Sequence, residues 1–371
     1  MIKRFLLTLL IVVSLCGCKN NTISVSGVSF KESEFNGIYI QKTVEEFYNL
    51  SFTCGDSVNI IFSNDFRVDD VPFYSGYYTR TGIPLLTAYP GYTYPEFSYN
   101  NGPDVIETIK LTDDDTIKIE LNKKGKYLDV ENAMSVRASL VRDTYDSDET
   151  FGNFRPLVGG DIDSTLLYRS ASPCVNTYNR ASYVSELSRK YHINSFIDLS
   201  DNEEEIKNYY DDEDADISYW RSMYDKGNIC CLDLSANYRN KDYKTKLVKG
   251  LRYITENDGP FLIHCVEGKD RTGFVCLLLE ALCNASIEEL EYDYMITYSN
   301  YYGIDKTNKS DMYKAYYDNR FADFLTYLTS KESLDDIKPL DVYNGAVDYL
   351  LSAGMSIEEI NMLINKISGN D

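Results

Sequence analysis

A thiol and a guanidinium, Cys265 and Arg271, lie six positions apart in the stretch FLIHCVEGKDRTGFVC at 261–276. The run before Cys265 is apolar and ends at His264, and a second apolar run follows Thr272 and Gly273. A strand, a short polar loop and a helix are the reading of that pattern. A loop that runs into a helix N-terminus aims unpaired backbone N–H groups at one point, where the helix dipole adds positive potential. Gly268 allows the chain to curl so that successive amides of Val266, Glu267, Gly268 and Lys269 form an anion-holding nest. A tetrahedral anion fits such a nest. The same field stabilises a thiolate, so Cys265 is expected to be nucleophilic near neutral pH. Arg271 can clamp two non-bridging phosphate oxygens with its planar fork, and the Thr272 hydroxyl can serve the thiolate or help expel it.

The rest of the chain limits the other chemistries. Only two histidines occur, His192 and His264, and neither stands in a cluster with ligand spacing, so no metal site is expected. Cys265 has no C-x-x-C partner, which argues against a thiol-redox enzyme. A formal charge of −21 would repel a polyanion, so a nucleic-acid partner is not expected and any phosphate must be held locally. Cys276 and Cys283, seven apart on one helical pattern, read as core.

Elements that could position the loop are visible on both sides of it. At 371 residues the chain suits two domains, and 43% hydrophobic residues with 26% charged ones indicate a folded protein. From 19 to 140, short alternating runs such as SVNIIF (57–62) and TIKIEL (116–121) are broken by Gly, Pro, Asn and Asp, which predicts a smaller, mainly β domain. Thr43 and Glu46 form a capping box for one short helix there. The tyrosine-rich part at 73–99 reads as aromatic strand and loop surface, or as a face that contacts polymer or protein. From 145 to 371 the texture is α/β: strands are expected at 193–200, 227–235 and 259–264, and helices at 241–257, 272–283, 286–302, 311–330 and 341–366. Ser286 with Glu289 and Ser356 with Glu359 mark two helix starts, and the acidic clusters at 201–216 read as a solvated face.

The loop HCVEGKDRTG resembles the active-site loop of the cysteine-dependent tyrosine phosphatase superfamily, whose core is His-Cys, five residues, Arg, then Ser or Thr. GNFRPLVGGDIDSTLLYRSASP (152–173) and INSFIDLSDNEEE (193–205) are similar to stretches of its bacterial, lipid-phosphatase-like branch, often called tyrosine phosphatase family 3. That branch carries Asp where Pro156 stands and Arg where Ser200 stands, which touches substrate contacts more than catalysis. The resemblance implies an α/β phosphatase domain at 145–371, with a central sheet flanked by helices and a strand-loop-helix phosphate-binding loop, and a phosphocysteine intermediate at Cys265. No metal or cofactor is implied. It further implies an aspartic general acid. Asp233, at the end of the CCLDLS strand, is the first expectation, Asp270 in the loop is close behind, and Asp198 is more structural. His264 is expected to orient the loop by hydrogen bonds without transferring a proton, and Arg155 and Arg169 to pair with carboxylates or help hold the loop. Lys269 would either attract a second phosphate or be solvated.

The expected function is hydrolysis of phosphate monoesters, with phosphotyrosine on a protein as default substrate and a phosphoinositide or inositol phosphate as the alternative that Lys269-Asp270 favours. A reading of another class is a silent phospho-ligand-binding lipoprotein, against which the intact Cys265, Arg271 and Thr272 argue. At the N-terminus, Lys3 and Arg4, an apolar run from Phe5 to Leu15 and LCGC at 15–18 resemble a lipoprotein signal over 1–18. That order predicts export and a membrane anchor through lipid on Cys18, at the outer face of the cell membrane. Seven further cysteines leave at least one thiol unpaired within a monomer, and the oligomeric state is left open.

Overall fold

The structure is a computed structural model that describes residues 23–211 and 213–370. The expected signal at 1–18, with Cys18, lies outside the described residues. Two sheets organise the chain. Residues 24–123 form an eight-stranded sheet in which SVNIIF is a strand at Ser57–Phe62, paired on both sides with Arg67–Tyr74 and Ile117–Lys123. All its pairings are antiparallel except that of Arg67–Tyr74 with Pro84–Thr87. The alternating side chains Val58, Ile60 and Phe62 are buried with Ile38, Phe73 and Phe97 in a separate core. The short helix Val44–Asn49 starts with the capping box of Thr43 and Glu46.

The second sheet has five strands in the order Ile229–Cys231, Ser195–Asp198, Phe261–His264, Leu167–Ser170, Arg155–Pro156. The first four are parallel and the last is antiparallel, an edge position that suits Pro156 because it needs no ladder donor there. Phe261–His264 is the last strand in sequence, yet it inserts at the centre, and all four of its residues are buried. Its carboxyl end, where parallel sheets place ligands, carries Cys265.

Helix Asp270–Leu282 follows directly, and every residue from Thr272 to Leu282 is buried. A helix that is apolar all round belongs in the middle of a domain. It is packed by helices Ile287–Tyr302 and Pro339–Ser352, with Phe274 stacked on Tyr238 at 4.4 Å between ring centres. Two expected helices are divided. The 341–366 pattern breaks at Ala353, and a new helix, Ile357–Ile367, begins with the Ser356/Glu359 capping box. The 311–330 pattern contains a π-helical turn at Tyr317–Phe321.

The sheet-rich segment is docked on the α/β domain. Helix Leu128–Met134 packs on helix Ser310–Tyr316, and its Ala133 and Met134 are buried in the core of the α/β domain. Arg80 donates to the Asp318 carbonyl at 2.7 Å, and Arg320 donates to the carbonyls of Tyr77 (2.6 Å) and Thr79 (3.2 Å). Part of the tyrosine-rich segment is thus an internal contact face.

Candidate phosphate-binding active site

The loop after the central strand is held by its carbonyls. Val266 O accepts from the Ser172 amide at 3.3 Å, and Glu267 O accepts from the Tyr301 hydroxyl at 2.6 Å. Gly268 O accepts twice, from Asn153 Nδ2 and from Arg169 Nη2, each at 3.0 Å. Among the described residues, no acceptor engages the amides of Val266, Glu267, Gly268 or Lys269. Carbonyls drawn into the scaffold and amides left without partners make an anion-holding concavity. Gly268 has φ +64°, and an added Cβ would lie 2.2 Å from the Ser170 carbonyl oxygen, so a larger residue meets backbone as well as strain.

Behind the loop stands a buried charge network. Arg169 binds Asp293 through Nη1, and Arg155 binds it through Nε at 2.9 Å. Burial alone would push the Asp293 carboxyl up, but the two guanidiniums hold it below its ordinary value. Arg155 also reaches Asn153 Oδ1 at 2.6 Å, which fixes the amide that serves Gly268. Both arginines thus pair with one carboxylate, and Arg169 also holds the loop carbonyl of Gly268. Beside the network, burial raises the Glu280 carboxyl well above its ordinary value.

Cys265 is buried at the floor of the loop, and the buried Thr272 hydroxyl has no partner among the described residues, so it remains available to the thiolate. Arg271 donates from Nη1 to the Leu234 carbonyl at 3.0 Å and lines a cavity of about 630 Å³ together with Asp270. The two acid candidates are separated. Asp233 has φ +47°, pairs with Lys246 at 3.0 Å on the surface and does not line that cavity. Asp198 is buried and accepts from the Ser200 amide (2.9 Å), the Ser200 hydroxyl (3.0 Å) and the Asp201 amide (3.2 Å), a turn-holding role. Only Asp270 of the three shares the cavity with Arg271.

Two expectations need correction. His264 does not orient the loop by hydrogen bonds: neither ring nitrogen has a partner, and Nδ1 is 4.0 Å from Asp198 Oδ1. Burial pushes its pKa down to about 4, so the ring is a neutral packing group against Phe196. Lys269 is neither solvated nor free for a second phosphate, because Glu267 holds its ammonium at 3.0 Å and Asp270 stands 3.9 Å away. The sequence reading missed Asn153, Tyr301, Asp293 and Arg180. Arg180 is buried, donates to the Phe151 carbonyl at 2.8 Å and lies over the Tyr301 ring at 4.4 Å, bracing the tyrosine that holds Glu267. Asp293 had a sequence signal: it falls in the buried stripe of Leu290, Tyr294 and Thr297, where a carboxylate needs a partner. All seven cysteines of the described residues are unpaired.

Residues 148–368, more than half of the chain, match the tyrosine phosphatase family. Partly similar solved structures include an uncharacterized conserved protein from Thermotoga maritima, at 18% identity over 25% of this chain and 35% of that one, TM-score 0.23. The core catalytic domain of the PP-IP phosphatase SIW14 from S. cerevisiae, in complex with citrate, is 20% identical over 44% of this chain and 83% of that one, TM-score 0.27. A second Siw14 catalytic core is 17% identical over 53% and 96%, TM-score 0.27. The chain belongs to the tyrosine phosphatase family and is a cysteine-based phosphatase.

Proposed function

We propose that this member of the tyrosine phosphatase family hydrolyses phosphate monoesters, phosphotyrosine before others, through a phosphocysteine at Cys265. The observation that carries the reading is the loop itself: three carbonyls held by the scaffold, four amides without acceptors, and Arg271 beside them. In the first displacement the Cys265 thiolate attacks phosphorus, an S–P bond forms and the O–P bond to the leaving alcohol breaks. Asp270 gives its proton to the leaving oxygen, since it alone of the candidate acids faces the cavity with Arg271. In the second, water attacks phosphorus, its proton returns to Asp270 and the thiolate departs with help from Thr272. The loop amides and Arg271 stabilise the equatorial oxygens in both steps.

The engagement of Lys269 by Glu267 supports phosphotyrosine over a phosphoinositide, because the cation that would take a second phosphate is already occupied. Export and anchoring through Cys18 remain part of the reading, supported by the basic, apolar and LCGC order of residues 3–18.

The test is turnover of a phosphotyrosine peptide and of a phosphoinositide by the full-length protein in detergent, with chelator and reductant. Cys265→Ser and Arg271→Ala are measured beside it. Preferred turnover of the peptide, abolished in both variants, is expected. Binding of both esters without turnover would make the loop a phosphate receptor.

A further inference from the structure

Asp323, in helix Ala322–Thr329, is a buried carboxylate, and a carboxylate out of water needs several donors to hold it. Thr81 of the sheet-rich domain supplies two of them to Oδ2, its hydroxyl at 2.8 Å and its amide at 3.3 Å. The Tyr238 hydroxyl donates to the same oxygen at 2.7 Å, and Arg239 Nη2 donates to Oδ1 at 2.9 Å. One carboxylate thus ties Thr81 to Tyr238 and Arg239. Asn237 adds a second tie between the domains, its Nδ2 donating to the Asn101 carbonyl at 3.1 Å.

The segment so held, 234–240, bears directly on Arg271. Leu234 at its start accepts from Arg271 Nη1 at 3.0 Å. The Tyr238 ring is stacked on Phe274, which lies three residues after Arg271 and so on the same face of helix Asp270–Leu282. Within the α/β domain the Tyr349 hydroxyl donates to the Tyr238 carbonyl at 2.7 Å and fixes the main chain there. The hydroxyl end of the Tyr238 side chain rests instead on the carboxylate shared with Thr81. A guanidinium is planar, so an Nη1 fixed on a carbonyl sets the direction of Nε and Nη2, which have no acceptor among the described residues. Those are the donors left for the oxygens of a phosphate.

We propose that the sheet-rich domain positions Arg271. Thr81 is the positioning residue: through Asp323 and Tyr238 it fixes segment 234–240, and the Leu234 carbonyl then holds the guanidinium ready for a phosphate anion. The sheet-rich domain acts on phosphate binding through the α/β domain, and this role rests on the phosphatase reading above.

Two readouts on the full-length protein in detergent test it: the Kd of inorganic phosphate by calorimetry, and kcat/KM for para-nitrophenyl phosphate. Thr81→Val, which keeps the shape and loses the hydroxyl, should weaken phosphate binding about three- to tenfold and lower kcat/KM about tenfold in a folded protein. Thr81→Ser should restore both. Arg80→Ala removes the neighbouring domain contact to the Asp318 carbonyl, which does not reach segment 234–240, and should leave both values within about twofold. Thr81→Ala serves the same comparison if Thr81→Val does not fold. Equal losses in Arg80→Ala and Thr81→Val, no loss in either, or a loss that Thr81→Ser fails to restore overturns the inference and leaves the phosphatase reading standing. Wild type that binds phosphate but turns over no ester overturns the phosphatase reading, and the positioning of Arg271 then stands or falls on the phosphate Kd alone. Wild type with neither binding nor turnover overturns both.

Discussion

Arg169, a guanidinium with no exposed surface, donates through Nη2 to the backbone carbonyl of Gly268 at 3.0 Å while Nη1 is bound to Asp293. Its role is to turn a buried ion pair into loop geometry: with its carbonyl held in the scaffold, Gly268 leaves its amide free for an anion. A lysine has the charge but not the fork, so it cannot reach both partners. Arg169→Lys is therefore expected to lower kcat about ten- to a hundredfold in a folded protein, checked by steady-state kinetics beside thermal unfolding. A change below twofold would mean that the contact does not shape the nest.

Gly268 meets its own constraint from the same side. With φ +64° and the Ser170 carbonyl oxygen 2.2 Å from any added Cβ, Gly268→Ala must displace either the loop or the strand that ends at Ser170. Loss of at least a hundredfold in kcat/KM is expected. Full activity in the variant would show that the loop can re-form with another backbone path.

The general acid can be assigned by leaving group. Asp270→Asn should slow a phosphotyrosine peptide by about a hundredfold or more, the range for removal of a positioned acid, and slow an ester with a good leaving group far less. Asp233→Asn, which only releases Lys246 at the surface, should change either rate less than threefold. The reverse ranking would return the role to Asp233.

His264 gives a pH signature in stability. Its folded pKa, moved from the ordinary 6.5 down to about 4 by burial, means that the unfolded chain binds more protons between those values. Stability is lost as pH falls from about 6.5 towards 4, by about 3 kcal/mol at most. The groups facing the ring are Asp198, Asp201 and Arg271. Asp201, pushed up to about 6 mainly by burial, acts with the opposite sign, its contribution being lost as pH rises through that value. Denaturant unfolding of wild type and His264→Asn across pH 4–7 separates the two: the variant should lack the acid-side loss. Parallel curves would show that the ring titrates alike in both states.

How far these features can be read from the sequence follows from how local they are. The loop, its strand and its helix lie within 22 consecutive residues, 261–282, so residue type and spacing were enough to place Cys265, Gly268 and Arg271. The scaffold that pulls the carbonyls outward comes from Asn153, Arg169, Ser172 and Tyr301, distant segments whose meeting is decided by strand order. Asp233 looked like the acid because, at the end of the CCLDLS stretch, it stands where the resembling branch carries one. What turned it outward is Lys246, one helix later, together with a left-handed backbone that no periodicity reports. The domain contact was equally hidden, since the tyrosine-rich segment shows its partner only once Arg80 and Arg320 cross it.

The central claim is a covalent bond between Cys265 and phosphorus. Full-length protein mixed with a phosphotyrosine peptide, quenched in acid within the first turnovers and examined by mass spectrometry, tests it directly. Phosphate on the peptide that contains Cys265, absent in Cys265→Ser, is the predicted result. Release of phosphate with none ever attached to Cys265, or release that survives Cys265→Ser, would contradict it.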